Sequence, residues 1–295
     1  MKNAGKVYLC LMLCALFASP ALAAMSDVDF IELSRSGTLQ QIQEAIRNGA
    51  NVNAVTFHGD SPLFAAATSN PNPEVIMTLL TKTGAGADVN AAVCDWSGNS
   101  LISWVVQNPN LEVITFFIEA SADVNARTEG GMSPLLISMS NPNPEVIMAL
   151  IRAGAEVNVR YASGETPLLA ATRNRYPKVI LALLNAGADV SVRDDIGRTT
   201  LKRALMWAPW RNCEETIAAL LEAGADVNAR NVEGMTALMM AAARITNPDI
   251  LMLLLKAGAD PKAKDVGGNM AIDFARGNEA IRNTDAFWML NDASF

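Results

Sequence analysis

Residues 131–163 read GMSPLLISMSNPNPEVIMALIRAGAEVNVRYAS, and residues 164–196 follow at once as GETPLLAATRNRYPKVILALLNAGADVSVRDDI. The two stretches are one unit written twice, 33 residues apart from glycine to glycine. A fixed period in the range of about 20–50 residues decides the architecture, because such a unit cannot bury its apolar face alone and has to stack on its neighbours. Local chemistry divides the unit. Ser133 or Thr166 is a good N-cap, and Pro134 or Pro167 then sits at the first helical position, where no N–H is needed. A short apolar helix follows through Leu135, Leu136, Ile137 and Met139. Asn141-Pro142-Asn143-Pro144 stops it and starts another: Asn143 caps, Pro144 opens, and Glu145 faces the positive end of the helix dipole. Val146, Ile147, Leu150 and Ile151 recur at helical spacing, and Gly154 supplies the left-handed residue that ends the helix.

The words G-x-[ST]-P-L, E-V-I-x-x-L-[IL] and G-A-x-V-N occur in this order and register. On them the chain resembles the ankyrin repeat. The resemblance implies an all-α repeat solenoid of stacked helix–turn–helix units with short β-hairpin fingers. It also implies a protein-binding role rather than chemistry.

Six full units open at Gly59, Gly98, Gly131, Gly164, Gly197 and Gly234. The reading assigns an N-capping unit to residues 25–57, six repeats to 58–266 and a C-capping unit to 267–295, with eight helix pairs in all. The first full unit has extra residues in its interhelix loop, at 81–85 and in the finger 92–96; the fifth has four extra within residues 206–213. Insertions in solenoids map to loops, often on the binding face. No linker or low-complexity segment interrupts the array, so one domain is expected.

Residues 1–24 stand apart. Lys2 and Lys6 form a basic start, residues 7–17 an apolar run, and residues 20–24 offer small residues for cleavage. This is the pattern of an export signal, and the run is short for a membrane span. The expected protein is therefore a bacterial exported one, periplasmic or secreted, with no membrane attachment after cleavage. Loss of the two lysines takes the net charge from −7 to −9. That acidity argues against nucleic acid as a partner. Of four cysteines only Cys94 and Cys213 remain after cleavage, in widely separated repeats, so an intrachain disulfide is not expected.

Little catalytic equipment is present, and no enzymatic activity is expected. His58 is the only histidine, and no metal-ligand spacing or phosphate loop occurs, so no cofactor is expected. A thiol enzyme built on Cys94 and His58 is the alternative of another class. The position five residues after each repeat glycine, where ankyrin repeats often carry histidine, holds Phe64, Ser103, Leu136, Leu169, Lys202 and Met239. The recurrent acids Asp88, Asp123, Glu156, Asp189, Asp226 and Asp260 occupy one slot of the repeat, which favours a turn role over paired-carboxylate chemistry.

What remains is a binding surface. Arg127, Arg160, Arg193, Arg230 and Lys264 recur once per unit in the fingers. They read either as a basic row for an acidic partner or as hydrogen bonders within their own fingers. Phe57, Trp96 and Tyr161 lie in fingers, Trp104 on a first helix, and Trp207 and Trp210 in the largest insertion. Large aromatics and arginine are the usual interface anchors. The candidate protein-binding set is thus Arg127, Arg160, Tyr161, Arg193, Arg230, Trp96, Trp104, Trp207 and Trp210. Phe287 and Trp288 are expected to seal the core end. The function expected is a protein–protein interaction module or scaffold, monomeric, binding a protein partner through fingers and first helices. The alternative is a secreted effector that binds a host protein.

Overall fold

The computed structural model describes residues 25–81, 86–90, 99–161, 164–173, 176–207 and 214–294, with the backbone alone at Trp207. The expected signal segment, Cys94, Trp96, Trp210 and Cys213 lie outside the described residues. The chain divides into two compact units, one up to Ala87 and one from Asp88 onward.

The first unit holds α1 (Asp27–Ser36), α2 (Leu39–Arg47), α3 (Pro62–Ser69) and α4 (Pro73–Leu80). Phe30 and Ile31 of α1 are buried while Asp27, Asp29 and Glu32 face solvent, as an end repeat requires. Arg35 reaches Asp60 in the following finger at 2.8 Å.

The second unit holds six helix pairs. The first helices are α5 (Leu101–Val105), α7 (Pro134–Ser138), α9 (Pro167–Ala171), α11 (Thr200–Trp207), α13 (Ala237–Arg244) and α15 (Ala271–Arg276). Their partners are α6 (Leu111–Glu119), α8 (Pro144–Arg152), α10 (Pro177–Asn185), α12 (Glu214–Glu222), α14 (Asp249–Lys256) and α16 (Asp285–Ser294). Each helix packs on its own partner and on the corresponding helices of adjacent repeats. The result is the expected helical repeat solenoid, with eight helix pairs among the described residues.

The caps form as their residue types dictate. Ser133 and Thr166 accept the N–H of Leu136 and Leu169, and Asn143 accepts that of Glu145. Asn141 does more: its amide nitrogen donates to the carbonyls of Val106 and Asn108, tying its loop to the preceding repeat. At the far end of α8, Gly154 takes φ +87° so that Ala155 can donate to Leu150 and close the helix. Ser121 does the same job at φ +66° without glycine's freedom.

Each finger among the described residues closes as a hairpin around three loop residues. In the third repeat the N–H of Tyr161 donates to Glu165, and the N–H of Gly164 donates back to Tyr161. Gly164 is held at φ +71°, and a Cβ there would collide with the Asp195 carboxylate of the next finger. The hairpins stop at this rung: among the described residues no strand forms, and one isolated bridge pairs Arg193 with Thr199.

A second set of bonds joins the fingers. The Asn158 side chain donates to the Gly187 carbonyl at 2.9 Å and accepts the Asp189 N–H at 2.8 Å. Asn90, Asn125 and Asn228 make the same two bonds to their next repeats. At the fourth repeat the slot holds Ser191, whose hydroxyl turns back to Asp189. The recurrent acids are turn formers: Asp123, Asp189, Asp226 and Asp260 each accept the N–H two residues on.

Two expectations change. Phe287 does seal the core, but Trp288 lies on the outer side of α16 and is 55 % exposed, because the next residue along a helix points about 100° away. In the fifth repeat, helix α11 continues through Met206 and Trp207, so the insertion begins later than its sequence suggested.

Asn158→Ala is expected to lower stability by about 1 kcal/mol, since it removes two hydrogen bonds to exposed backbone groups that water then partly satisfies, whereas Ser191→Ala changes it by much less. Urea unfolding of the two variants measures the difference. Ser121→Gly is expected to raise stability by up to about 1 kcal/mol by relieving the left-handed strain, read as a higher thermal midpoint.

Candidate protein-binding groove

The first helices are short, five residues in α5, α7 and α9, and α7 and α9 each start two residues after a finger closes. Between them in the second unit runs a groove of about 530 Å³. Its walls include Met132 and Tyr161 from the fingers, Leu136 and Ile137 from α7, and Arg173 just beyond α9. These side chains are half-buried or exposed, unlike the core residues Leu135, Leu168 and Leu169 beside them. Alternation along one helix thus separates scaffold from surface.

An ion chain borders the groove. Glu165 accepts from Arg173 and from Arg203, both at 2.9 Å. Arg203 also lies 3.6 Å from Asp194, which accepts from Arg198 at 2.7 Å. Burial works against the Asp194 carboxylate, yet the Arg198 backbone N–H and guanidinium hold its pKa below the usual range. Burial likewise pushes Arg203 down from its ordinary value, with Glu165 opposing. The chain crosses from the fourth repeat to the fifth, the joint where Ser191 leaves out the asparagine bonds.

Lys202 precedes Arg203 and is the exception in this core. It is fully buried, and its Nζ has no hydrogen-bond partner among the described residues. Burial, reinforced by the Arg193 and Arg230 charges and opposed by Asp226, pushes its pKa down to about 8.

The expected site residues divide between the two roles weighed for them. Arg160, Arg193 and Arg230 are exposed, and each donates to the carbonyl of the same position in the next finger: Arg193, Arg230 and Lys264, at 2.6, 3.0 and 2.7 Å. The row therefore stitches finger to finger, rather than each arginine serving its own finger, although Arg193 also reaches Gly197 at 3.3 Å. Arg127 instead pairs with Glu156 at 2.8 Å. Tyr161 enters the groove wall, and Trp104 on α5 is 37 % exposed. Trp207 ends α11, with its side chain outside the description, as Trp96 and Trp210 are entirely. The structure therefore brings Tyr161 together with Arg173, Glu165 and Met132, which the motif reading passed over. One signal was present: Lys202 and Arg203 stand in an otherwise apolar first helix.

Among the described residues no group of three His, Cys, Asp or Glu side chains could hold a metal ion. His58 is exposed, its ring edge-to-face with Phe57. No described helix is long and apolar enough to cross a membrane.

Stacked helix pairs, hairpin fingers and a groove lined by exposed side chains define a helical-repeat binding protein. Residues 102–194 match the family model for ankyrin repeats in three copies, residues 220–275 that for ankyrin repeats in many copies, and residues 58–93 that for a single ankyrin repeat. These matches span more than half of the chain, which belongs to the ankyrin-repeat family. No curated protein matches it. Its repeats are those of protein–protein interaction modules.

Lys202 carries a testable consequence. The folded side chain loses its proton near pH 8 and the unfolded one near its ordinary 10.5. Between those values the unfolded chain binds more protons, so stability rises with pH across that window. Lys202→Met is expected to remove this rise and to add roughly 1–3 kcal/mol at pH 7. Thermal melts from pH 7 to pH 10.5 check both effects.

Proposed function

We propose that the chain is an exported scaffold, monomeric in solution, that binds a protein partner in the groove between the fingers and first helices of its second unit. The observation that carries this reading is the groove itself. Half-exposed Met132, Leu136 and Tyr161 stand there on a backbone fixed by bonds from repeat to repeat. A rigid surface of this kind binds without a large ordering cost. The leader-like residues 1–24 support a periplasmic or external place of action. The acidic balance argues against nucleic acid as the partner.

The test is capture from periplasmic extract on the purified protein, read by mass spectrometry. Beside it run the groove variant Leu136→Gln, Ile137→Gln and the outer-face variant Trp288→Ala, each checked for helical content. The expected result is a partner retained by Trp288→Ala and weakened at least tenfold by the groove variant. A partner found only in the culture medium or in host extract would favour the secreted effector. A partner that survives the groove change would remove the groove from the proposal.

A further inference from the structure

The ion chain beside the groove does not balance. Arg173, Arg203 and Arg198 face only two carboxylates, Glu165 and Asp194, so the five groups carry one net positive charge. The surplus is unevenly placed. Arg203 is buried and fixed between both carboxylates, so its charge is answered on either side. Arg173 ends the chain, its side chain 50 % exposed, and shares Glu165 with Arg203. It also lines the groove beside Met132, Leu136 and Tyr161. A half-exposed guanidinium at the rim of an apolar cleft recognises a carboxylate in two-pronged fashion, while the cleft takes an adjoining apolar side chain, to which methionine adapts well.

We infer that the groove recognises a peptide segment of a partner protein in which an Asp or Glu stands next to a bulky apolar residue, with Arg173 receiving the carboxylate and Met132, Leu136 and Tyr161 the apolar side chain. This rests on the groove reading above and adds the chemistry of the partner to it. Arg160, next in sequence to Tyr161, adds an exposed positive charge on the same finger. The chain as a whole is acidic at −7, so an acidic segment is repelled elsewhere and accepted here. Binding is correspondingly weakened by salt.

A phage-displayed library of random nine-residue peptides, selected on the purified full chain, supplies the probe. Enriched peptides are then synthesised and titrated calorimetrically against wild type, Arg173→Gln, Arg173→Lys and the double variant Leu136→Gln, Ile137→Gln. The expected outcome is enrichment of Asp or Glu within two positions of Leu, Met or Phe. Arg173→Gln should then weaken binding at least tenfold, and Arg173→Lys by less. Replacing the peptide's acid by its amide should cost little further in Arg173→Gln, because the two changes remove one contact. Enrichment of neutral or basic peptides, or indifference to Arg173→Gln, overturns the inference; if the double variant still abolishes binding, the groove itself stands. Absence of enrichment, or binding indifferent to every variant, overturns both.

Discussion

The second unit depends on a side-chain amide placed once in four of its repeat junctions, at Asn90, Asn125, Asn158 and Asn228. Asn158 donates to the carbonyl that ends helix α10 and accepts an N–H two residues further on. Both partners are backbone groups that the helix end and turn leave unsatisfied. One asparagine therefore completes the hydrogen bonding of the next repeat and fixes its distance at the same time. Because neither bond involves an inner-face side chain, the surface residues of that face are released from holding the repeats together. A glycine in the left-handed region makes the geometry possible by turning the helix end toward the incoming amide.

Where the amide is missing, other chemistry joins the repeats. At Ser191 the hydroxyl is too short to cross, and it closes on Asp189 instead. The same joint carries Arg203 between Glu165 and Asp194, and Arg193 donating to the Arg230 carbonyl. These bonds are charged and partly buried, and their strength depends on every member being satisfied. Lys202 shows the hazard. The finger charges Arg193 and Arg230 press on a buried amine, and the Asp226 carboxylate opposes them. The junction of the fourth and fifth repeats is thus held by ions where four other junctions use neutral amides.

Local chemistry was legible in the sequence, and chemistry between repeats was less so. Ser133, Pro134, Asn143 and Pro144 announce their helix starts because a cap acts within three residues of itself. The turn role of Asp123 and Asp226 was readable for the same reason. The arginine row was found by its period, but its partners lie about one repeat away in sequence and become neighbours through stacking alone. The ion chain joins residues 165, 173, 194, 198 and 203 with no shared period, so repeat matching averages it away. Trp288 misled because it follows Phe287, and the step of about 100° between them carries it past the edge of the buried face to 55 % exposure.

The inner face follows from this division of labour. The repeat motif fixes the caps, the apolar core and the asparagine bonds, so departures from it at surface positions cost the fold little. Glu165 stands directly after a repeat glycine, where the third and sixth repeats carry Met132 and Met235. Tyr161 stands where other fingers place Thr128, Asp194 or Asn231, whose side chains each accept an N–H that closes the hairpin. Tyrosine cannot make that bond, so this finger keeps its backbone rung without side-chain reinforcement. The lost bond is worth on the order of 1 kcal/mol, and the aromatic ring gained faces the groove beside Glu165 and Arg173. The ring also lies beside Gly130 of the preceding finger, so Tyr161 gives up a bond inside its own finger for a place between that finger and the groove.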